Sequence, residues 1–430
     1  MPTLGVRRET KSPWERRVAV TPDLAKELVA AGHKLYVERS ERRVFADAEY
    51  EAVGCELVDD LPPCSVVFGV KEVPNERLLS GAAHLFFAHV IKGQSYNMPM
   101  LRHLMSIGAT LLDYERIADA KSRRLVFFGR FAGLAGMIDA LWTLGQRLAH
   151  EGHGETPFAS CKPSHEYASL KDALAAVQAL GEAIAEQGMP AELQPLIVAV
   201  TGGGNVSNGV HEVLDQLPVE EVRPEDLAAL VANPDANDRV VYRVRFLEEH
   251  LVRAKSGGPL NVQEYFDHPE RYEGTFTQYL PTLSLLMNGI YWTPACPRLV
   301  RKSDLPAMTR CRVIGDISCD VEGSIEPTLL ATEPGDPVFT YDAATDSARM
   351  GVAGAPPVIN AVDILPAELP RDASEAFADA LGPFANSIAG ASYSGTLEES
   401  GLPPEIQRSC VVWRGELTSS YSYLEEHLGG

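Results

Sequence analysis

Short apolar runs alternating with helical stretches, and one abrupt passage from strand to glycine loop to helix near mid-chain, predict an α/β protein. A long helical stretch separates a first alternating series from a second. Two domains with mostly parallel sheets and an interdomain cleft are therefore expected.

The first series fills about 125 residues and reads LGV, PDLAKELVAAG, KLYVE, DAEYEAVG, SVVFGV, HLFFAHVI, MLRHLMSIG and ATLLDY. Strand and helix periods taking turns at this spacing are those of βα units. Thr21 and Pro22 supply a cap and a first-turn proline, and Gly32 a stop. The pattern predicts a long helix over 131–151, where Gly133 and Gly136 permit close packing, then a loop over 152–169 and an Ala-rich helix over 170–187. PLIVAVTGGGNVSNGVHEVLDQL at 195–217 reads as buried strand, glycine loop and helix. VEEV at 219–222 reads as the next strand, and CRVIGDIS at 311–318 as a later one ending in a carboxylate. Residues 331–362, rich in Gly, Pro and Asp, are expected to be an irregular insertion, followed by helices over 373–389 and 417–428. These boundaries give a substrate domain of 1–138 plus 326–430 and a dinucleotide-binding domain of 139–325, with the active site in the cleft between them.

Composition narrows the function. The chain of 430 residues is 45% hydrophobic and 23% charged, as expected of a globular protein. It has no apolar run of 18 residues, and its start, MPTLGVRRETK, lacks the apolar stretch of a signal peptide. The expectation is a cytoplasmic protein beginning near Met1, with no membrane partner. Seven cysteines form no CxxC pair, which fits reduced thiols and predicts no metal. A net charge of −21 argues against nucleic acid, which demands a basic footprint. The acid is uneven: residues 1–92 hold 13 Lys and Arg against 14 Asp and Glu, leaving 25 against 45 for the rest. An anionic substrate would draw on the N-terminal third.

Gly202, Gly203 and Gly204, with Asn205 and Val206 opening the helix, form a Rossmann-like loop that lets a pyrophosphate approach backbone N–H groups. The third glycine of the usual pattern is replaced by Ser207, with Gly209 two residues on. A tight turn without cofactor remains the alternative. About 20 residues after Gly202, Arg223 stands where a cation would accept the 2′-phosphate of NADPH; the neighbouring Glu220 and Glu221 would favour NAD instead.

Lys71 and His89 each end an apolar run, where strand ends in α/β folds converge on ligands. Each could also be an ordinary surface or structural residue. WERRVAVTP at 14–22, GVK at 69–71, AHVIKGQ at 88–94, DYE at 113–115, FGRFAGLAGMI at 128–138, TGGGNVSNG at 201–209, HPERY at 268–272, NGIYW at 288–292 and DISCD at 316–320 are collinear over nearly the whole chain. Together they resemble the family of alanine dehydrogenase, the N-terminal part of proton-translocating transhydrogenase and the saccharopine dehydrogenases. The likeness is closest to the lysine-ketoglutarate reductase portion of the bifunctional lysine-degrading enzyme.

The resemblance implies condensation of L-lysine with 2-oxoglutarate and reduction of the imine by NADPH, with NAD as the alternative coenzyme, to give saccharopine. It implies Lys71 and His89 as the acid/base pair, work that suits their chemistry near neutral pH. Three substrate carboxylates call for cations, for which Arg16, Arg17, Lys92 and Arg130 are the candidates. Glu115 is expected to orient the acid/base pair, or to be a surface residue. Asn288 and Tyr291 in NGIYW, and Asp316, are implied at the nicotinamide; Tyr291 in the core and Asp316 in a turn are the plain alternatives. A different amine, or a silent homologue, remains open. A homo-oligomer is compatible with the sequence. The family's saccharopine-cleaving half is not in these 430 residues, so a monofunctional reductase with a separate saccharopine-cleaving dehydrogenase as partner is expected.

Overall fold

The computed structural model describes residues 2–429, which divide into two compact units. One comprises the chain up to Phe128 and from Pro370 onward, the other Gly129–Leu369. Among the described residues, no helix is long and apolar enough to cross a membrane.

In the first unit, strands β1 (Thr3–Val6), β2 (Lys34–Glu38), β3 (Glu56–Val58), β4 (Val66–Lys71), β5 (Ala83–Phe87) and β6 (Thr110–Asp113) are all parallel, in the order β3-β2-β1-β4-β5-β6. β5 is buried throughout and β4 up to Lys71, which is why they read as unbroken apolar runs rather than alternating ones. Helix α1 (Pro22–Ala30) starts as predicted. The Thr21 hydroxyl accepts the Leu24 N–H at 3.3 Å, and Gly32 takes φ +94° just past the end. α2 (Asp47–Ala52) and α3 (Met98–Ser106) complete this segment. The strand order reverses between β1 and β4, so the crevice at their carboxyl ends is where a ligand is expected.

The second unit begins with α4 (Gly129–His150), followed by α5 (Leu170–Gln187), β7 (Leu196–Thr201), α6 (Asn205–Leu214), β8 (Val219–Glu221), α7 (Leu227–Val231) and β9 (Val241–Phe246). A short α8 (Glu248–Leu251), a ribbon of β10 (Val252–Ala254) with β11 (Tyr272–Gly274), and α9 (Val262–Asp267) precede β12 (Leu285–Asn288) and β13 (Val313–Asp316). α4 packs on α6 through two glycines. A Cβ at Gly133 would lie 1.9 Å from the Val206 carbonyl oxygen, and one at Gly209 2.1 Å from that of Arg130. Gly209, which fitted no place in the glycine-loop pattern, serves this helix contact.

Two expectations are corrected here. Residues 331–362 are not an irregular insertion: β14 (Val338–Asp342), β15 (Ser347–Met350) and β16 (Val358–Asn360) extend the second sheet, whose order is β15-β14-β16-β13-β12-β7-β9-β8. Their strands are three to five residues long with Gly, Pro and Asp between them, too short to show a period. The unit boundaries therefore fall at 128/129 and 369/370, not at 138/139 and 325/326. The first boundary moves because α4 packs along its length on the second unit, Gly136 against Ile317 and Leu365 and Gly145 against Phe158.

The C-terminal segment returns to the first unit. α10 (Pro370–Gly390) packs on α1, and the Val18 N–H donates to the Ser374 hydroxyl at 2.9 Å. After α11 (Pro404–Ser409), strand β17 (Cys410–Trp413) adds antiparallel to β6, and β18 (Glu416–Leu417) adds antiparallel to β17 at the sheet edge. The helix predicted over 417–428 is instead the end of β18, a 3₁₀ segment and the four-residue α12 (Glu425–Leu428).

Candidate active site

In the first unit, the carboxyl ends of β1, β4, β5 and β6 bring together Arg7, Glu9, Lys71, Glu72, His89 and Asp113. Pairing of β4 with β5 slips between Phe68 and Lys71, leaving two N–H groups outside the ladder. Glu9 takes both: its carboxylate accepts from Val70 at 2.8 Å and Lys71 at 2.9 Å. The buried Arg7 guanidinium donates to the Lys71 carbonyl and lies 3.4 Å from Glu9. Burial raises the Glu9 carboxyl, against the opposing pull of Arg7 and the two N–H donors. These contacts fix the backbone from which Lys71 projects, partly exposed at the strand end.

His89 follows β5 in a left-handed conformation, φ 49°. Such strain persists only where neighbours impose it. Here the buried Asn97 amide holds the turn, donating to the carbonyls of Ala88 at 2.8 Å and His89 at 3.5 Å. The imidazole Nδ1 is 3.4 Å from Glu72 Oε2, a charge contact without hydrogen-bond alignment. Burial alone would raise the Glu72 carboxyl, but His89 and Lys11 outweigh it and hold it down at about 2. Glu72 is therefore an anion beside His89 throughout the working pH range.

Asp113 ends β6 with no exposure. One oxygen accepts the Glu115 N–H at 2.9 Å; the other has no hydrogen-bond partner. Burial pushes its pKa up to about 7, the Glu115 charge adds to the rise, and the His89 charge opposes it. Near neutrality this site thus holds a titrating carboxyl as well as Lys71 and His89.

The expected carboxylate clamps are placed unevenly. Arg17 is buried, forked onto Glu15 at 2.8 and 2.6 Å and stacked 4.2 Å from the Phe128 ring centre. Phe128 in turn stacks on Phe377 at 4.5 Å. Arg16 is exposed and donates to the Arg42 carbonyl at 3.3 Å. Lys92 is exposed in the turn after His89, where its N–H donates to the Gln94 amide oxygen at 3.0 Å. Glu115 is half-buried, 4.0 Å from Arg124. Arg130 stands on α4 in the second unit, its fork closed by Glu212 of α6 at 2.8 and 2.5 Å. Glu9, Glu72 and Asp113 escaped the sequence reading; the one signal for Glu9 was a run of charges directly after a buried strand.

In the second unit the strand order reverses between β7 and β12. The glycine loop follows β7, with Gly202 at φ +90° and its missing Cβ 3.2 Å from the Gly289 carbonyl oxygen. Gly203, Gly204 and Asn205 are exposed, Val206 partly so, and no side chain caps the first turn of α6. N–H groups left uncapped beside bare glycines fit a dinucleotide pyrophosphate. Ser207 occupies the third glycine position, and its hydroxyl donates back to the Thr201 carbonyl at 2.9 Å.

Asn288 and Asp316 end β12 and β13 and are buried together. The Asn288 amide reaches Asp316 Oδ1, Ser318 Oγ and Ser324 Oγ, each at 2.8 Å, and its oxygen accepts from Thr201 Oγ1 at 3.1 Å. Burial raises Asp316 to about 6, against the hydrogen bonds from Thr328 and Asn288. Tyr291 is 64% exposed, which removes the alternative of a core tyrosine.

Arg223 is placed differently from the sequence expectation. β8 is the edge strand, and β9, which comes later in the chain, pairs with β7. Arg223 therefore stands roughly 10 Å, two strand spacings, from β7. It is exposed and bound to Asp226 at 2.9 Å and Glu225 at 3.3 Å.

Residues 5–135 match the family described as Alanine dehydrogenase/PNT, N-terminal domain, and residues 275–420 match its C-terminal domain. The chain is 37% identical to an alpha-aminoadipic semialdehyde synthase of Arabidopsis thaliana, over 98% of this chain and 41% of that protein. It is 34% identical to the mitochondrial alpha-aminoadipic semialdehyde synthase of Mus musculus, over 99% of this chain and 48% of that protein. The chain thus spans less than half the length of these relatives. Saccharopine dehydrogenase [NAD(+), L-lysine-forming] of Emericella nidulans is 29% identical over 88% of this chain and 90% of its own length. Among solved structures, an L-alanine dehydrogenase superposes with TM-score 0.64 at 18% identity, covering 99% of this chain and all of that one. A transhydrogenase from Sinorhizobium meliloti gives 0.56 at 15%, covering 97% of this chain and all of its own. At such identities the solved structures speak for the fold alone.

Proposed function

Because the chain belongs to the alanine dehydrogenase/PNT family, carrying both of its domains, we propose that it is a nicotinamide-dependent oxidoreductase acting on a C–N bond, and specifically a lysine-ketoglutarate reductase. The ε-amine of L-lysine adds to the ketone of 2-oxoglutarate, water leaves, and the imine is reduced to the secondary amine of saccharopine. Gly202, Gly203, Gly204, Asn205 and Val206 would hold a dinucleotide, which in its reduced form would supply hydride chemistry. The chain's own residues manage protons and charge.

Addition of the amine releases a proton, and departure of the carbinolamine hydroxyl needs one. Lys71 and His89, on adjacent strand ends, exchange these protons with substrate. Glu72, anionic beside the imidazole, stabilises its protonated form when the proton arrives. Arg16 and Lys92, the exposed cations of this unit's family motifs, receive substrate carboxylates, and Arg17 does so by exchanging Glu15 for substrate. The observation that carries the reading is the trio of Lys71, Glu72 and His89 at the strand ends of the first unit, within a chain whose alignment to semialdehyde synthases spans nearly all of it.

The test is coenzyme oxidation followed spectroscopically with purified protein, 2-oxoglutarate and a panel of amines. Oxidation that requires both L-lysine and 2-oxoglutarate is expected, with saccharopine as product. Oxidation with another amine and none with lysine would move the assignment to a different amino-acid dehydrogenase of the same family.

A further inference from the structure

We propose that Glu248, at the carboxyl end of β9, reads the adenosine ribose of the coenzyme, and that the chain therefore prefers NADH to NADPH. The inference rests on the dinucleotide reading of the glycine loop and goes beyond it by naming the coenzyme and the residue that selects it.

Sheet order carries the argument. In a doubly wound sheet, the ribose nearest the adenine lies over the end of the strand that neighbours the glycine-loop strand. Counting along the chain makes that neighbour β8 and brings Arg223 to the ribose. The hydrogen-bonded neighbour of β7 is β9, in register from Leu196 with Val241 to Thr201 with Phe246. The Gly202 N–H donates to the Phe246 carbonyl at 2.9 Å, and a Cβ on Gly203 would touch Leu247 at 3.3 Å. Leu247 thus lies beside the loop, and Glu248 is the next residue along, opening α8 directly after β9.

The charges there suit an unphosphorylated ribose. Glu248 is partly exposed; its backbone carbonyl accepts the Val252 N–H and its charge acts on the Tyr265 hydroxyl, with no side-chain ion pair among the described residues. A carboxylate accepts hydrogen bonds from ribose hydroxyls, whereas a 2′-phosphate placed against it is repelled. Glu249 adds a second, exposed carboxylate. The cations of β9 are already engaged: Arg243 by Asp215 and Glu221, each at 2.6 Å, and Arg245 by Glu221 at 3.6 Å.

The experiment is calorimetric titration of the full chain with NADH and with NADPH, in the absence of amine and 2-oxo acid. NADH is expected to bind at least ten times more tightly. Glu248→Ser should shrink that preference at least fivefold without moving the melting temperature, and Arg223→Ala should leave it unchanged. Equal or tighter binding of NADPH, or a Glu248→Ser ratio within twofold of the parent, overturns the inference. Binding of neither coenzyme would instead sink the dinucleotide reading, and this inference with it.

Discussion

The two units share a construction and differ in the residues directly after the first strand. Both place a central strand beside a reversal of order, β1 beside β4 and β7 beside β12, and both gather side chains at the carboxyl ends. After β7 come three glycines and an uncapped helix, a surface of bare N–H groups. After β1 comes Arg7-Arg8-Glu9, and no helix begins until Pro22. Where a glycine loop would leave room for a phosphate, the first unit is filled: a Cβ on Gly69 would collide with the Arg7 guanidinium. The same scaffold therefore presents backbone donors in one unit and titratable side chains in the other, and a few residues at one strand end decide which.

The comparison breaks if the two roles are not separable. The largest expected effect is on turnover: Lys71→Met and His89→Gln should each slow lysine-dependent coenzyme oxidation by about 100-fold or more while leaving NADH affinity within twofold. A matching loss of NADH affinity in direct titration would show that the first unit's charges also hold the coenzyme. The converse variant, Gly202→Val, puts a side chain at φ +90° against the Gly289 carbonyl and should weaken coenzyme binding at least tenfold.

Stability sharpens the contrast. Gly133→Ala forces a methyl into the Val206 carbonyl where α4 meets α6 and should cost about 1–3 kcal/mol, read as a lower melting temperature. A smaller, pH-dependent effect is expected from Asp139 and Glu368, buried carboxyls of the second unit. Asp139 accepts the Ser164 N–H at 2.7 Å, and Glu368 lies 3.3 Å from His165. Burial raises both carboxyls, Glu368 to about 7, and the Glu368 charge raises Asp139 further. A raised folded-state pKa means that the native protein holds its proton longer than the unfolded chain. The Glu368 contribution is full below pH 4.5, where the unfolded chain is also protonated, and is lost as pH rises through about 7; Asp139, raised in the same direction, acts with the same sign. The double variant Asp139→Asn with Glu368→Gln should flatten this decline, and an unchanged slope of melting temperature against pH would count against the shared burial. The smallest expected effect is that of Arg223→Ala, below twofold on affinity for either coenzyme.

The folding units announced themselves locally. Apolar runs, the Thr21-Pro22 helix start, the glycine loop and Lys71 and His89 at strand ends are all features of a few consecutive residues, and each lies where its sequence signal placed it. The tertiary structure decided the rest. Glu9 acts on Val70 and Lys71, some 60 residues away, and Asp113 on His89 from the next strand, contacts that no period or motif encodes. Most consequential is the interchange of β8 and β9: strand order depends on which apolar faces find one another, not on order along the chain. That choice moved the expected ribose contact from Arg223 to Glu248 and with it the sign of the charge that meets the coenzyme.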